Sequence, residues 1–255
     1  MIKRTLLTMM TILLMLGACA ISTTEPEIEG AFVRHLLPAA VRLDILHDLG
    51  GKKFQMRGSG TIVHRVLDKG GVYYTYYVLS CGHLYYNPSI TKIKVKIRQF
   101  DHRGIVTMRI FDATDTWVYH VKQMDISVVK FKSVLLFKPV PLASHIPSDL
   151  FGQKAMVMGC PFGQAPLVTF GNFGINHPVT DTMNFIGMRL WVAGGNSGSG
   201  TYLFNRQTKR WELMGIVIAY YGNENDRHGQ CSLALRLDAI RELLRKEGMT
   251  HLIGE

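Results

Sequence analysis

The chain has 255 residues, 47% of them hydrophobic, a formal charge of +10 at neutral pH and four cysteines. That length suits one large domain or two small ones sharing a cleft, and the charge favours anionic membrane faces or acidic substrates without identifying a partner. An odd number of cysteines beyond Cys19 excludes a disulfide-stapled scaffold, and the absence of a Cys-x-x-Cys pair or a histidine cluster gives no metal or cofactor site.

Residues 1–18 read as an export signal, with a basic start and an apolar run too short for a comfortable membrane span. Leu16-Gly17-Ala18-Cys19 resembles a bacterial lipobox. That resemblance implies lipidation at Cys19 and, with Ala20 following it, an outer-membrane lipoprotein facing the periplasm. The small residues around Cys19 also suit ordinary signal-peptidase cleavage, which would give a secreted or soluble periplasmic protein. Residues 19–30 are polar and acidic and serve as a tether.

Residues 31–140 are expected to hold the first set of strands. A short helix over Ala31 to Leu37 stops at Pro38, and strands follow at Val41 to Ile45, Gln55 to Arg65 and Val72 to Ser80. Ile93 to Phe100 and Ile105 to Phe111 read as a hairpin turning at Asp101-His102-Arg103-Gly104. Within it Lys92, Lys94, Lys96 and Arg98 alternate with apolar residues, the pattern of a strand with one solvated face rather than a nucleic-acid site. Trp117 to Lys122 and Asp125 to Phe131 complete this half.

Pro139 to Leu150 is rich in proline and small residues and reads as a crossover, so residues 141–255 form the second half. Its strands are expected at Lys154 to Gly159, Leu167 to Phe173, Phe185 to Val192, Gly200 to Phe204, Trp211 to Ala219 and Cys231 to Leu237. Asp238 to Lys246 places Ile240, Leu243 and Leu244 on one helical face, a terminal helix packed on the strands.

Gly194-Gly195-Asn196-Ser197-Gly198-Ser199-Gly200 puts a serine in a glycine-dense turn, where consecutive N–H groups can converge on one point. Acyl transfer needs a nucleophile and donors where negative charge develops, although a small-residue turn is the plain alternative. Val78 to Leu84 is an apolar strand ending in His83, and Asp125 opens an alternating strand. Asp112 and Asp115 compete for the acid role but lie in a polar loop. Cys81, two residues before His83, lacks the glycine frame of Ser197 and reads as a packed small hydrophobe.

The order His83, Asp125, Ser197 resembles that of the chymotrypsin-fold, or trypsin-like, serine peptidases. Gly58-Ser59-Gly60-Thr61, Asp125-Ile126-Ser127, Gly159-Cys160-Pro161-Phe162-Gly163 and Gly195-Asn196-Ser197-Gly198-Ser199 resemble a bacterial branch that includes HtrA-type protease domains, here without a PDZ domain, and glutamyl endopeptidases. The resemblance implies an all-β fold of two six-stranded barrels with a C-terminal helix. It implies a serine endopeptidase with His83, Asp125 and Ser197 as triad and the backbone N–H groups of Gly195 and Ser197 as oxyanion hole. Trp191, Ile216, Tyr220 and Tyr221 are then candidate substrate-pocket residues, and His228 a candidate partner for an acidic side chain. The expected partner is a protein or peptide, with no cofactor, metal or nucleic acid. The alternatives are a catalytically silent peptide-binding protein of the cell envelope and, with the triad order against it, a serine esterase on another fold.

Overall fold

The computed structural model describes residues 33–85, 92–100, 108–121, 124–174, 184–221 and 228–253. The export signal, the tether and Cys19 lie outside the described residues, as does the Asp101 to Gly104 turn. A helical turn over 33–36 runs into a 3-10 turn, Leu37–Ala39, that carries Pro38 at its start.

The first half contains β1 (Ala40–Leu49), β2 (Lys52–Leu67), β3 (Tyr74–Ser80), β4 (Lys92–Gln99), β5 (Arg109–Asp112), β6 (Asp115–Val121) and β7 (Met124–Ser133). Alternation decides which side of each strand goes inward. On β1 and β4, Leu43, Ile45, Val95 and Ile97 are buried while Lys94 and Lys96 face water, as the alternation predicts. The tyrosine-rich β3 contributes to the core rather than to a surface platform. Tyr76 is fully buried, its ring stacked on Phe131 at 5.0 Å, and its hydroxyl donates to Leu135 O and accepts from Phe137 N–H. Truncating a ring such as Phe131 in this packing costs about 3–5 kcal/mol.

The expectation of two closed barrels is corrected here. The first half is an open seven-stranded sheet in the order β5-β4-β1-β2-β3-β7-β6. β5 and β6 are joined through Ala113-Thr114, a link short enough for a hairpin, yet β5 pairs with β4 and β6 pairs with β7. Ala113 N–H donates to Val95 O and Thr114 N–H to Lys130 O, so the chain steps across the gap between the two sheet edges without zipping them.

The second half does close. Strands β8 (Lys154–Gly159), β9 (Leu167–Phe173), β10 (Phe185–Ala193), β11 (Gly200–Asn205), β12 (Arg210–Tyr221) and β13 (His228–Arg236) form a barrel in the order β10-β13-β12-β11-β8-β9. Closure comes from the pairs Met188↔Phe173 and Arg189↔Asn172. Helix α1 (Leu237–Lys246) buries Ile240, Leu243 and Leu244, with Asp238 in its first turn and Arg245 and Lys246 in its last, each sign complementing the helix dipole. The crossover is stitched to both halves: Val140 N–H donates to Ile62 O, and Leu213 N–H to Pro141 O.

Candidate active site

β3 and β7 run side by side with Ser80 opposite Ser127, so the turn after β3 and the first residues of β7 meet at the same end of the sheet. Ser127 Oγ donates to Cys81 O and fixes that turn. His83 N–H then donates to Asp125 Oδ1 at 2.6 Å, and His83 Nδ1 lies 2.6 Å from Asp125 Oδ2. A carboxylate only accepts, so Nδ1 carries the proton and the Nε2 lone pair is left outward. Ser197 Oγ stands 3.1 Å from that Nε2. The three sequence-predicted residues therefore meet, brought together from both halves of the chain.

Ser197 sits in the β10–β11 connection, whose shape rests on glycines. Gly195 has φ +97° and Gly198 φ +86°, a region where side chains are strained. A Cβ on Gly195 would lie 2.7 Å from Cys160 O, and one on Gly198 would collide with Ser59 O and Ser80 Oγ. Phe162 N–H holds Gly194 O at 2.6 Å. In a trans peptide the N–H points opposite to the carbonyl, so this bond turns Gly195 N–H away from Phe162. The neighbouring N–H groups of Asn196, Gly198 and Ser199 are occupied by Ala193 O, Val217 O and Asn196 O. Those of Gly195 and Ser197 find no acceptor among the described residues. Two unoccupied donors beside a serine are what a developing oxyanion requires.

Burial opposes charge on Asp125, but donors from His83 and His120 outweigh it and hold the carboxyl below its ordinary value of 3.8. Burial likewise opposes an imidazolium at His83, and the hydrogen bonds with Asp125 and Cys81 and the charge of Asp125 act against it, the ring being raised above 6.5. Complete burial pushes the Cys81 thiol itself upward, so it stays protonated. Cys81 Sγ lies 3.6 Å from His83 Nε2. It shares this nitrogen with Ser197 but is closed to solvent, whereas Ser197 is partly exposed.

Cys81, His83 and Asp125 are the one group among the described residues whose ligand atoms come close enough to consider a metal. The direct 2.6 Å hydrogen bond between His83 and Asp125 leaves no room for an ion between them, and a protonated buried thiol is a poor ligand.

Two contributors were not visible as such in the sequence. His120 Nδ1 donates to Asp125 Oδ1 at 2.9 Å, so the carboxylate is held by two histidines. The signal was there in the spacing, because a tight hairpin places His120 opposite Asp125 across β6 and β7. Ser59 Oγ donates to Gly195 O at 2.6 Å and accepts from Cys160 N–H at 2.7 Å, clamping the serine loop to the Gly159 to Gly163 turn.

The pocket candidates are less gathered. Trp191 is half-buried, its ring centroid 6.3 Å from that of Phe162. Ile216 is fully buried within the core, and Tyr220 is partly exposed on β12. The side chains of Tyr221 and His228 lie outside the described residues.

A model of the trypsin-like peptidase domain family matches residues 58–216, a span that contains His83, Asp125 and Ser197. No curated protein matches the chain.

Proposed function

Because the chain belongs to the trypsin-like peptidase domain family, we propose that it is a serine endopeptidase in which Ser197 is the nucleophile, His83 the base and Asp125 the orienting acid. The observation that carries this reading is the continuous path from Asp125 Oδ2 through the His83 ring to Ser197 Oγ, at 2.6 and 3.1 Å. Ser197 Oγ attacks a peptide carbonyl as His83 Nε2 takes the hydroxyl proton, and the new negative charge develops toward Gly195 and Ser197 N–H. His83 then gives its proton to the leaving amine, forming the acyl-enzyme. Water activated by the same nitrogen releases the acid. Asp125 stabilises the imidazolium without taking its proton.

A cysteine nucleophile is the second reading, favoured by the 3.6 Å contact between Cys81 and His83. It requires substrate to reach a sulfur with no exposed surface, which weighs against it. Fluorophosphonate labelling followed by peptide mapping separates the two. The expected adduct is on Ser197 and disappears in Ser197→Ala and His83→Ala; an adduct on Cys81, or none in folded protein, contradicts the proposal.

The likeness to HtrA-type domains and glutamyl endopeptidases, an envelope location and lipidation at Cys19 belong to the same proposal. They are supported by the glycine and serine pattern around Ser197 and by Leu16 to Cys19. Intact-mass measurement of the mature chain is expected to show a diacylated Cys19, and an unmodified N-terminus would remove that part.

A further inference from the structure

Three arginines converge beside the serine loop. Asp44, on β1, is buried. It pairs with Arg42 on the same strand, with Nε 3.1 Å from Oδ1, and with Arg98 on β4. Arg42 also donates to Gly163 O, locking β1 to the turn that holds Gly194 O. Arg57, on β2, is the third guanidinium. Its Nε is 3.8 Å from Asp44 Oδ1, beyond hydrogen-bond reach, and its side chain is 53% exposed. Among the described ion pairs Asp44 is the only carboxylate offered to these three cations. Both inner guanidiniums hydrogen-bond Oδ2, and Arg57 stands off Oδ1, the third cation around a single carboxylate.

The position of Arg57 relative to the cleft follows from one peptide plane. Ser197 O accepts from Ser59 N–H on β2, and Gly198 N–H donates to Val217 O on β12, both at 2.8 Å. The carbonyl and N–H of a trans peptide point in opposite directions, so β2 and β12 flank the serine on opposite sides. A substrate crossing Ser197 therefore sends one half along β12 and the other along β2. The β2 half is the leaving side, because a Cβ on Gly58 would meet Leu84, the residue after the histidine that protonates the leaving amine. Arg57 immediately precedes Gly58, and its stem lies over Gly163, 2.5 Å from where a Cβ there would be. The Arg57 side chain is thus held against the turn beneath the serine loop, with half of its surface open to solvent.

We propose that Arg57 makes this cleft select an acidic side chain one or two residues after the scissile bond. The inference rests on the peptidase reading for the word scissile; the binding preference itself needs only the cleft. Arg42, Asp44 and Arg98 act as a buttress, fixing the turn that Arg57 lies on and leaving three cations to share one carboxylate. Arg57 offers planar paired donors that fit a carboxylate, and a glutamine in place of the glutamate keeps the shape but loses the charge.

The test is an acetylated, amidated peptide library in which each member is made in a Glu and a Gln version. It is incubated with the full native chain to map cut bonds and passed over immobilised Ser197→Ala to measure retention. An exposed arginine–carboxylate pair favours Glu over Gln on the leaving side by roughly three- to fivefold at about 0.05 M salt. In Arg57→Gln the ratio is expected to fall to near one, and in Arg57→Glu to reverse. A ratio near one in the native chain, or one that Arg57→Gln leaves intact, overturns the proposal. If no peptide is cut, retention on Ser197→Ala still decides it. A Glu preference there upholds the role of Arg57 while the peptidase reading fails, and no preference removes both.

Discussion

Replacing Asp125 with asparagine changes one atom and tests the whole proton path. The carboxylate accepts three hydrogen bonds, from His83 N–H, His83 Nδ1 and His120 Nδ1. In Asp125→Asn one of the two oxygens becomes an NH₂ group. Placed against Nδ1, that donor forces the imidazole to move its proton to Nε2, where it faces Ser197 and can no longer serve as base. The expected loss in kcat is roughly 10³- to 10⁴-fold, equal to about 4–5.5 kcal/mol of transition-state stabilisation. The pH dependence carries a second signature. Because His83 must be neutral to act and is raised above 6.5 with Asp125 contributing to the rise, native kcat/KM should climb on a limb lying above that value, and the variant's residual limb should fall to lower pH. Stability follows the same linkage. The raised His83 contributes stability that is full below pH 6.5 and fades as pH rises through its folded value, while the lowered Asp125 contributes above 3.8 and fades as pH falls through its own. Denaturant melts of the native chain should therefore be steadiest between these values, and Asp125→Asn should flatten both slopes. A variant keeping more than about a tenth of native kcat, with an unmoved acidic limb, would refute this reasoning.

Cys81→Ala should leave kcat/KM within about threefold of native, since a buried sulfur contributes packing and not chemistry; a loss as deep as that of Ser197→Ala on the same peptide assay would make Cys81 the nucleophile. Ser59→Ala removes the clamp between Gly195 O and Cys160 N–H, and should cost about 1–3 kcal/mol in chemical denaturation and about tenfold in kcat through a loosened oxyanion site. A normal kcat would show that the loop holds itself. His120→Phe takes a donor from Asp125, so the carboxylate charge is less shared, His83 is held more strongly protonated, and the acidic limb of the pH profile should move upward. A downward shift or none would show that His120 does not tune the carboxylate.

The meeting of His83, Asp125 and Ser197 was legible because each lies in a short segment whose local chemistry stands out: a serine framed by glycines, a histidine at the end of an apolar strand, an aspartate opening one. Those features survive without knowing how strands pair. The open first sheet was not legible for the converse reason. Whether β5 and β6 zip together depends on which edges meet across the molecule, and the two-residue link at Ala113-Thr114 reads equally as a hairpin or a step between edges. Register hid the rest. His120 joins the site only once β6 and β7 pair it with Asp125, and the arginine cluster exists because β1 and β4 pair Arg42 with Arg98 while β2 brings Arg57 opposite Asp44. Ile216, a pocket candidate through the resemblance alone, is fully buried.

The central claim is that Ser197 is an activated nucleophile served by His83. Its most direct measurement is the rate of fluorophosphonate adduct formation at Ser197 across pH, with the modified peptide identified by mass spectrometry. The account predicts a single adduct on Ser197 whose rate rises through the raised titration of His83 and is abolished in His83→Ala. Labelling that is independent of pH and of His83, or that falls on Cys81, would contradict it.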